Sequence, residues 1–160
     1  MSGIESGGPP PVAVPVTGEF PDTLCELGMP GPERDALVRA VLSGEKTATS
    51  SLLVEWEYEG EALPEAGDRA TVVDSSGGPV AVIELTAVDV VRLADVGIEV
   101  ARAEGEGFAG VDDWRTVHER FWNEHSLPAL PDEVISSLDD DTAVVVEHFR
   151  LIAPAVTGDR

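Results

Sequence analysis

The chain has 160 residues, 42% of them hydrophobic, and a formal charge of -21 from 31 Asp+Glu against 10 Lys+Arg. That length suits one domain, able to bury about two thirds of its unfolded surface without disulfides or a metal, and no apolar run approaches the roughly 18 residues of a membrane helix. The acidity favours solubility and excludes the broad cationic grip that duplex DNA requires, so a nucleic-acid ligand must be small or met by a locally basic pocket.

Residues 1–18 are rich in Gly, Pro and Ser without periodicity and predict a flexible tail. They hold no basic cluster and no compact apolar segment, so no export is expected and the compartment is taken as cytoplasmic. The ordered domain is expected over residues 19–153, with a short tail at 154–160. Cys25 is the single cysteine. It can form no internal disulfide and suits a small buried hydrophobe.

Pro32 to Leu42 carries agreeing helix signals: Pro32 in the first turn, Glu33 and Asp35 at the positive end, apolar Leu37, Val38, Val41 and Leu42, and Gly44 as the stop. Thr47 to Val54 reads as a strand, followed by a charged aromatic stretch with Trp56 and Tyr58. LPEAGD at 63–68 is a turn, and the β-branched runs Ala70 to Val73 and Val80 to Val91 form a hairpin across DSSGG. Ala94 to Glu104 has helical composition, and Asp112 to Trp122 shows a helical stripe of Trp114, Val117, His118 and Phe121 behind two aspartates. Thr142 to Ile152 reads as a long last strand, far in sequence from its partners. The order helix, strands, helices, strand predicts an α+β domain: a small open barrel of largely antiparallel strands with helices at its rim.

Dinucleotide, P-loop, zincin and zinc-ribbon motifs are all missing from the sequence. His118 and His125, with Glu119 and Glu124 between them, do not make up a ligand set by themselves, so no metal and no cofactor are expected. What remains is GEKTATS at 44–50, which holds the only lysine, Lys46, beside Thr47, Thr49 and Ser50. A lysine after a helix end can simply complement the helix dipole in solvent. Burial can instead depress its pKa far enough for it to act as a base that activates a hydroxyl.

LVRAVLSGEKTATSSLL, LPEAGDRATVVDSSGGPVAVIELTAVDVV and ARAEGEGFAGVDDWRTVHERFW together resemble an ASCH-domain protein of the PUA-like superfamily, over about Phe20 to Ile152. The resemblance implies a PUA-like β-barrel with flanking helices and a cleft that binds RNA. One branch, the acetylcytidine amidohydrolases, hydrolyses acylated nucleosides, and its catalytic Lys, Thr and Glu fall on Lys46, Thr49 and Glu106, with Glu104 the neighbouring alternative. In that branch an arginine stands where this chain has Ser51. The expected partner is therefore a small nucleoside or nucleotide, or short single-stranded RNA, met by Lys46, Thr47, Ser50, Ser51, Trp56 and Glu104, with no membrane involved. Trp56 suits either stacking on a base or core packing. The alternatives are hydrolysis of an acylated nucleoside and, further off, metal-independent RNA cleavage.

Overall fold

The structure, a computed structural model, describes residues 20–154. Almost all of both expected tails therefore lies outside the described residues.

Strand β1 (Leu24–Cys25) precedes helix α1 (Pro32–Ser43), which begins with proline at its first turn and ends at Gly44 in the left-handed region, φ 86°. The turn after α1 closes with Gly44 N–H donating to Val41 O at 3.1 Å and Lys46 N–H donating to Ala40 O at 3.0 Å. Lys46 is thereby fixed at the mouth of β2 (Ala48–Leu52). The expected strand stops two residues early: Leu53 and Val54 open a short helix, α2 (Leu53–Glu59). Two local bonds turn the chain there. Glu55 Oε1 accepts the Leu52 N–H at 3.1 Å, and Trp56 Nε1 donates to Ser51 Oγ at 3.0 Å.

The hairpin of β3 (Arg69–Val73) and β4 (Pro79–Arg92) follows, with the DSSGG turn between them. The expected helix from Ala94 to Glu104 is split into a 3-10 turn at Leu93–Asp95 and α3 (Ile98–Ala103), with Gly97 extended between them. Helix α4 (Val111–Phe121) runs on into a π turn at Trp122–Ser126 and a 3-10 turn at Leu127–Ala129 before β5 (Ala143–Pro154).

The strands form one sheet in the order β1-β3-β4-β5-β2. Every neighbouring pair is antiparallel except β1 with β3, where Leu24 lies against Thr71 and Cys25 against Val72 in parallel. Register shifts between β4 and β5, at Val82/Ile83 and Leu85/Ala87, bend the long pair as β-bulges do. With β1 and β2 as its edges the sheet curls without closing, so the architecture is α+β with an open barrel. Two apolar clusters hold it. Leu52, Leu93, Trp114, Trp122, Val144 and Val146 pack the sheet against α3 and α4, and Val38, Val41, Val72, Ile83, Leu85 and Phe149 pack it against α1. Among the described residues no helix is long and apolar enough to cross a membrane.

Candidate functional site

The chain crosses itself at Lys46 and the Glu104-Gly105-Glu106 turn that follows α3. Lys46 is 2% exposed, and its Nζ donates to Glu104 Oε1 at 3.0 Å, to Glu106 Oε2 at 3.2 Å and to the Glu104 carbonyl at 3.3 Å. An ammonium has three N–H groups, and here each has an acceptor. The lysine is thus a cation that fixes two carboxylates, with no lone pair aimed at a neighbouring hydroxyl.

Glu104 is the hub. Its carboxylate, 1% exposed, also accepts Ser50 Oγ at 2.5 Å and Trp114 Nε1 at 3.1 Å, and His118 Nε2 lies 3.4 Å from Oε2. His118 Nδ1 is 2.9 Å from the Trp114 carbonyl, and its ring stacks on the Trp114 indole at 4.2 Å. A carbonyl only accepts, so Nδ1 carries a proton, and Nε2 can donate to Glu104 only in the imidazolium form. Burial works to raise the Glu104 pKa, but the His118 hydrogen bond, the Lys46 charge and the Ser50 hydroxyl hold it at about 2. Glu106 differs. Its side chain is 25% exposed, and burial pushes its pKa up, with Lys46 pulling down and Glu104 pushing up.

Glu104, Glu106 and His118 offer three ligand atoms within 4.8 Å of one another, the one such group found among the described residues. The Lys46 ammonium already lies within hydrogen-bond distance of both carboxylates, so a divalent ion would have to displace it. His125 is elsewhere, 3.9 Å from Glu124.

Two adjoining cavities border this cluster. A small one of about 90 Å³ is lined by Lys46, Thr49, Glu104, Glu106 and His118. It meets a cleft of about 1060 Å³ whose walls include Cys25, Thr49, Ser51, Trp56, Arg69 and Glu147. Ser50, Phe121 and Trp122 border both. Successive side chains of β2 point to opposite faces. Ala48, Ser50 and Leu52 share the face toward α3 and α4, while Thr49 and Ser51 occupy the other.

The six sequence-derived ligand residues therefore divide. Lys46, Ser50 and Glu104 form one hydrogen-bonded cluster, and Ser51 and Trp56 form a second pair on the cleft wall. Thr47 borders neither cavity; its hydroxyl reaches the Ala103 carbonyl at 3.4 Å. Of the three catalytic candidates, Lys46 and Glu106 are in contact. Thr49 borders both cavities and makes no hydrogen bond to either partner among the described residues. Sequence reasoning missed the parts played by His118 and Trp114. Their four-residue spacing on α4, ten and fourteen residues after Glu104, was the available signal. Cys25 borders the cleft, and burial first, then Glu147, push its thiol up to about 12, so it is a poor nucleophile.

The family model for the ASCH domain matches residues 26–153. No curated protein matches the chain. Protein EF3133 from Enterococcus faecalis V583, assigned to the family DUF984, has a crystal structure similar at TM-score 0.71 and 29% identity, over 84% of this chain and 77% of that one. The ASCH domain from Lactobacillus crispatus JV V101 is similar at TM-score 0.64 and 27% identity, over 81% and 79%.

Proposed function

Because the chain belongs to the ASCH-domain family and carries its PUA-like fold, we propose that the cleft beside Lys46 binds an RNA-derived ligand, and that this ligand is a neutral nucleoside. The observation that carries the choice is the commitment of all three Lys46 N–H groups to Glu104 and Glu106. The only lysine has no donor left for a phosphate. The cleft wall adds Glu26, Glu55, Glu59, Glu61 and Glu147 against a single basic residue, Arg69. Such a wall repels phosphate and offers acceptors to the N–H edges of a base, and the Trp56 ring gives it a surface on which to stack.

Calorimetric titration with cytidine, N4-acetylcytidine, cytidine monophosphate and a short oligoribonucleotide tests this. A nucleoside should bind at least tenfold more tightly than its monophosphate, since one like-charge contact near a protein surface costs more than the roughly 1.4 kcal/mol that tenfold represents. Glu106→Gln should weaken nucleoside binding about tenfold. Preference for the phosphorylated ligands, or unchanged affinity in the variant, would overturn the proposal.

A second reading, hydrolysis of acylated nucleosides, is favoured by the position of Thr49 at the junction of the two cavities, its hydroxyl free of protein partners among the described residues. The residue-by-residue resemblance supplies Lys46, Thr49 and Glu106 for it. Wild-type protein should then release acetate from N4-acetylcytidine, and Thr49→Ala should lose that turnover while melting at the same temperature. Absence of turnover across a panel of acylated nucleosides counts against this reading.

A further inference from the structure

Thr49, if it is the nucleophile, needs a base, and Lys46 does not supply one: its N–H groups are committed and no hydrogen bond joins it to Thr49. The sheet register offers another group. Thr49 on β2 lies directly opposite Glu147 on β5. Residues opposite each other in an antiparallel pair project from the same face with Cβ atoms about 5 Å apart. Both residues line the 1060 Å³ cleft, with Phe149 next along the same face of β5. Glu147 is partly buried and has no hydrogen-bond or ion-pair partner among the described residues, in contrast to Glu104 and Glu106. Burial alone raises its pKa, and a carboxylate of raised pKa is the stronger base. The Cys25 thiol on β1 feels the Glu147 charge, and the same cleft wall carries Asp22, Glu26, Glu55, Glu59, Glu61, Asp68 and one basic residue, Arg69.

Resting on the hydrolase reading, we propose that Glu147 is the general base for Thr49, forming a nucleophile–base pair that acts on a neutral acyl compound in the large cleft. In the first half-reaction Thr49 Oγ1 bonds to the acyl carbon as its proton passes to a Glu147 oxygen. The carbon–nitrogen bond then breaks as that proton moves to the departing nitrogen. In the second half-reaction water adds to the Thr49 ester, giving a proton to Glu147. Glu147 returns it to Oγ1 as the ester bond breaks and the carboxylic acid leaves. The step needs no further reactant.

Hydrolysis of N4-acetylcytidine by the full chain, followed against pH, tests the pairing. Glu147→Gln should lower kcat at least 100-fold with little change in KM, the scale of a lost general base. It should also erase the rise in rate that accompanies deprotonation of the carboxyl group. Glu147→Asp, which keeps the carboxylate, should retain more activity than Glu147→Gln at equal melting temperature. If Glu147→Gln stays within threefold of wild type, or keeps the same pH profile, while Thr49→Ala is inactive, the base assignment is wrong and the hydrolase reading survives. If the wild type releases no acid from any acylated nucleoside, both fall.

Discussion

Truncating Glu104 to alanine is expected to destabilise the protein by about 3–5 kcal/mol, the range found when one partner of a buried charge pair is removed. The loss exceeds one ion pair. Lys46, 2% exposed, would keep only Glu106 and a carbonyl as acceptors, while Ser50 Oγ, Trp114 Nε1 and His118 Nε2 would lose theirs. An orphaned buried donor costs about 1–3 kcal/mol. The loss is a large share of the roughly 5–15 kcal/mol that holds a domain together. Glu104→Gln keeps the volume and one acceptor oxygen but turns an N–H group toward existing donors, so it should fall between alanine and wild type.

Urea unfolding at several pH values checks both size and cause. The folded pKa of Glu104 is about 2 against an ordinary 4.5, so its stabilisation is present above 4.5 and is lost as pH falls toward 2. That interval corresponds to roughly 3 kcal/mol. Glu55, Glu106 and Glu147 have raised values, and their contributions run the other way, present at low pH and lost as pH rises through the folded values. The stability gap between wild type and Glu104→Ala should therefore narrow from pH 5 to pH 2. A gap under about 1 kcal/mol at pH 7, or one that does not change with pH, would show that the carboxylate is not the hub.

Much of this fold was legible because its signals are local. Pro32 and Gly44 mark the ends of α1, and the β-branched runs on either side of DSSGG make the β3–β4 hairpin. The misplaced elements depend on side-chain bonds or tertiary pairing. Leu53 and Val54 favour a strand by propensity, yet Glu55 bonding back to Leu52 N–H turns them into α2. Two-residue β1 exists only because β3 offers it an edge. At the candidate site, the compositional oddity of one lysine pointed to Lys46 but not to the geometry around it. Period two separates Thr49 from Ser50 across β2, and only the β2–β5 register reveals Glu147 as Thr49's neighbour. His118 drew notice as a metal candidate beside His125, but its partner is fourteen residues back, at the far side of a turn.

That turn gives the second large effect: Gly105→Ala is expected to cost about 3 kcal/mol and to abolish the nucleoside binding proposed above. Gly105 has φ +68°, where a side chain alone costs about 1–2 kcal/mol. An added Cβ would also lie 2.7 Å from Lys46 Cα and closer still to the Glu45 carbonyl, backbone that cannot swing aside as a side chain can. The turn would have to retreat, carrying Glu104 and Glu106 away from Lys46 Nζ together. Gly107 provides the control. It too has positive φ, +80°, but nothing lies within 4 Å of its would-be Cβ, so Gly107→Ala should show the conformational cost alone. Thermal and urea unfolding of the two variants, with cytidine titrations, separate the effects. If the two substitutions cost the same and both variants still bind, then the close approach of the glutamate turn to the lysine backbone is not what assembles the site.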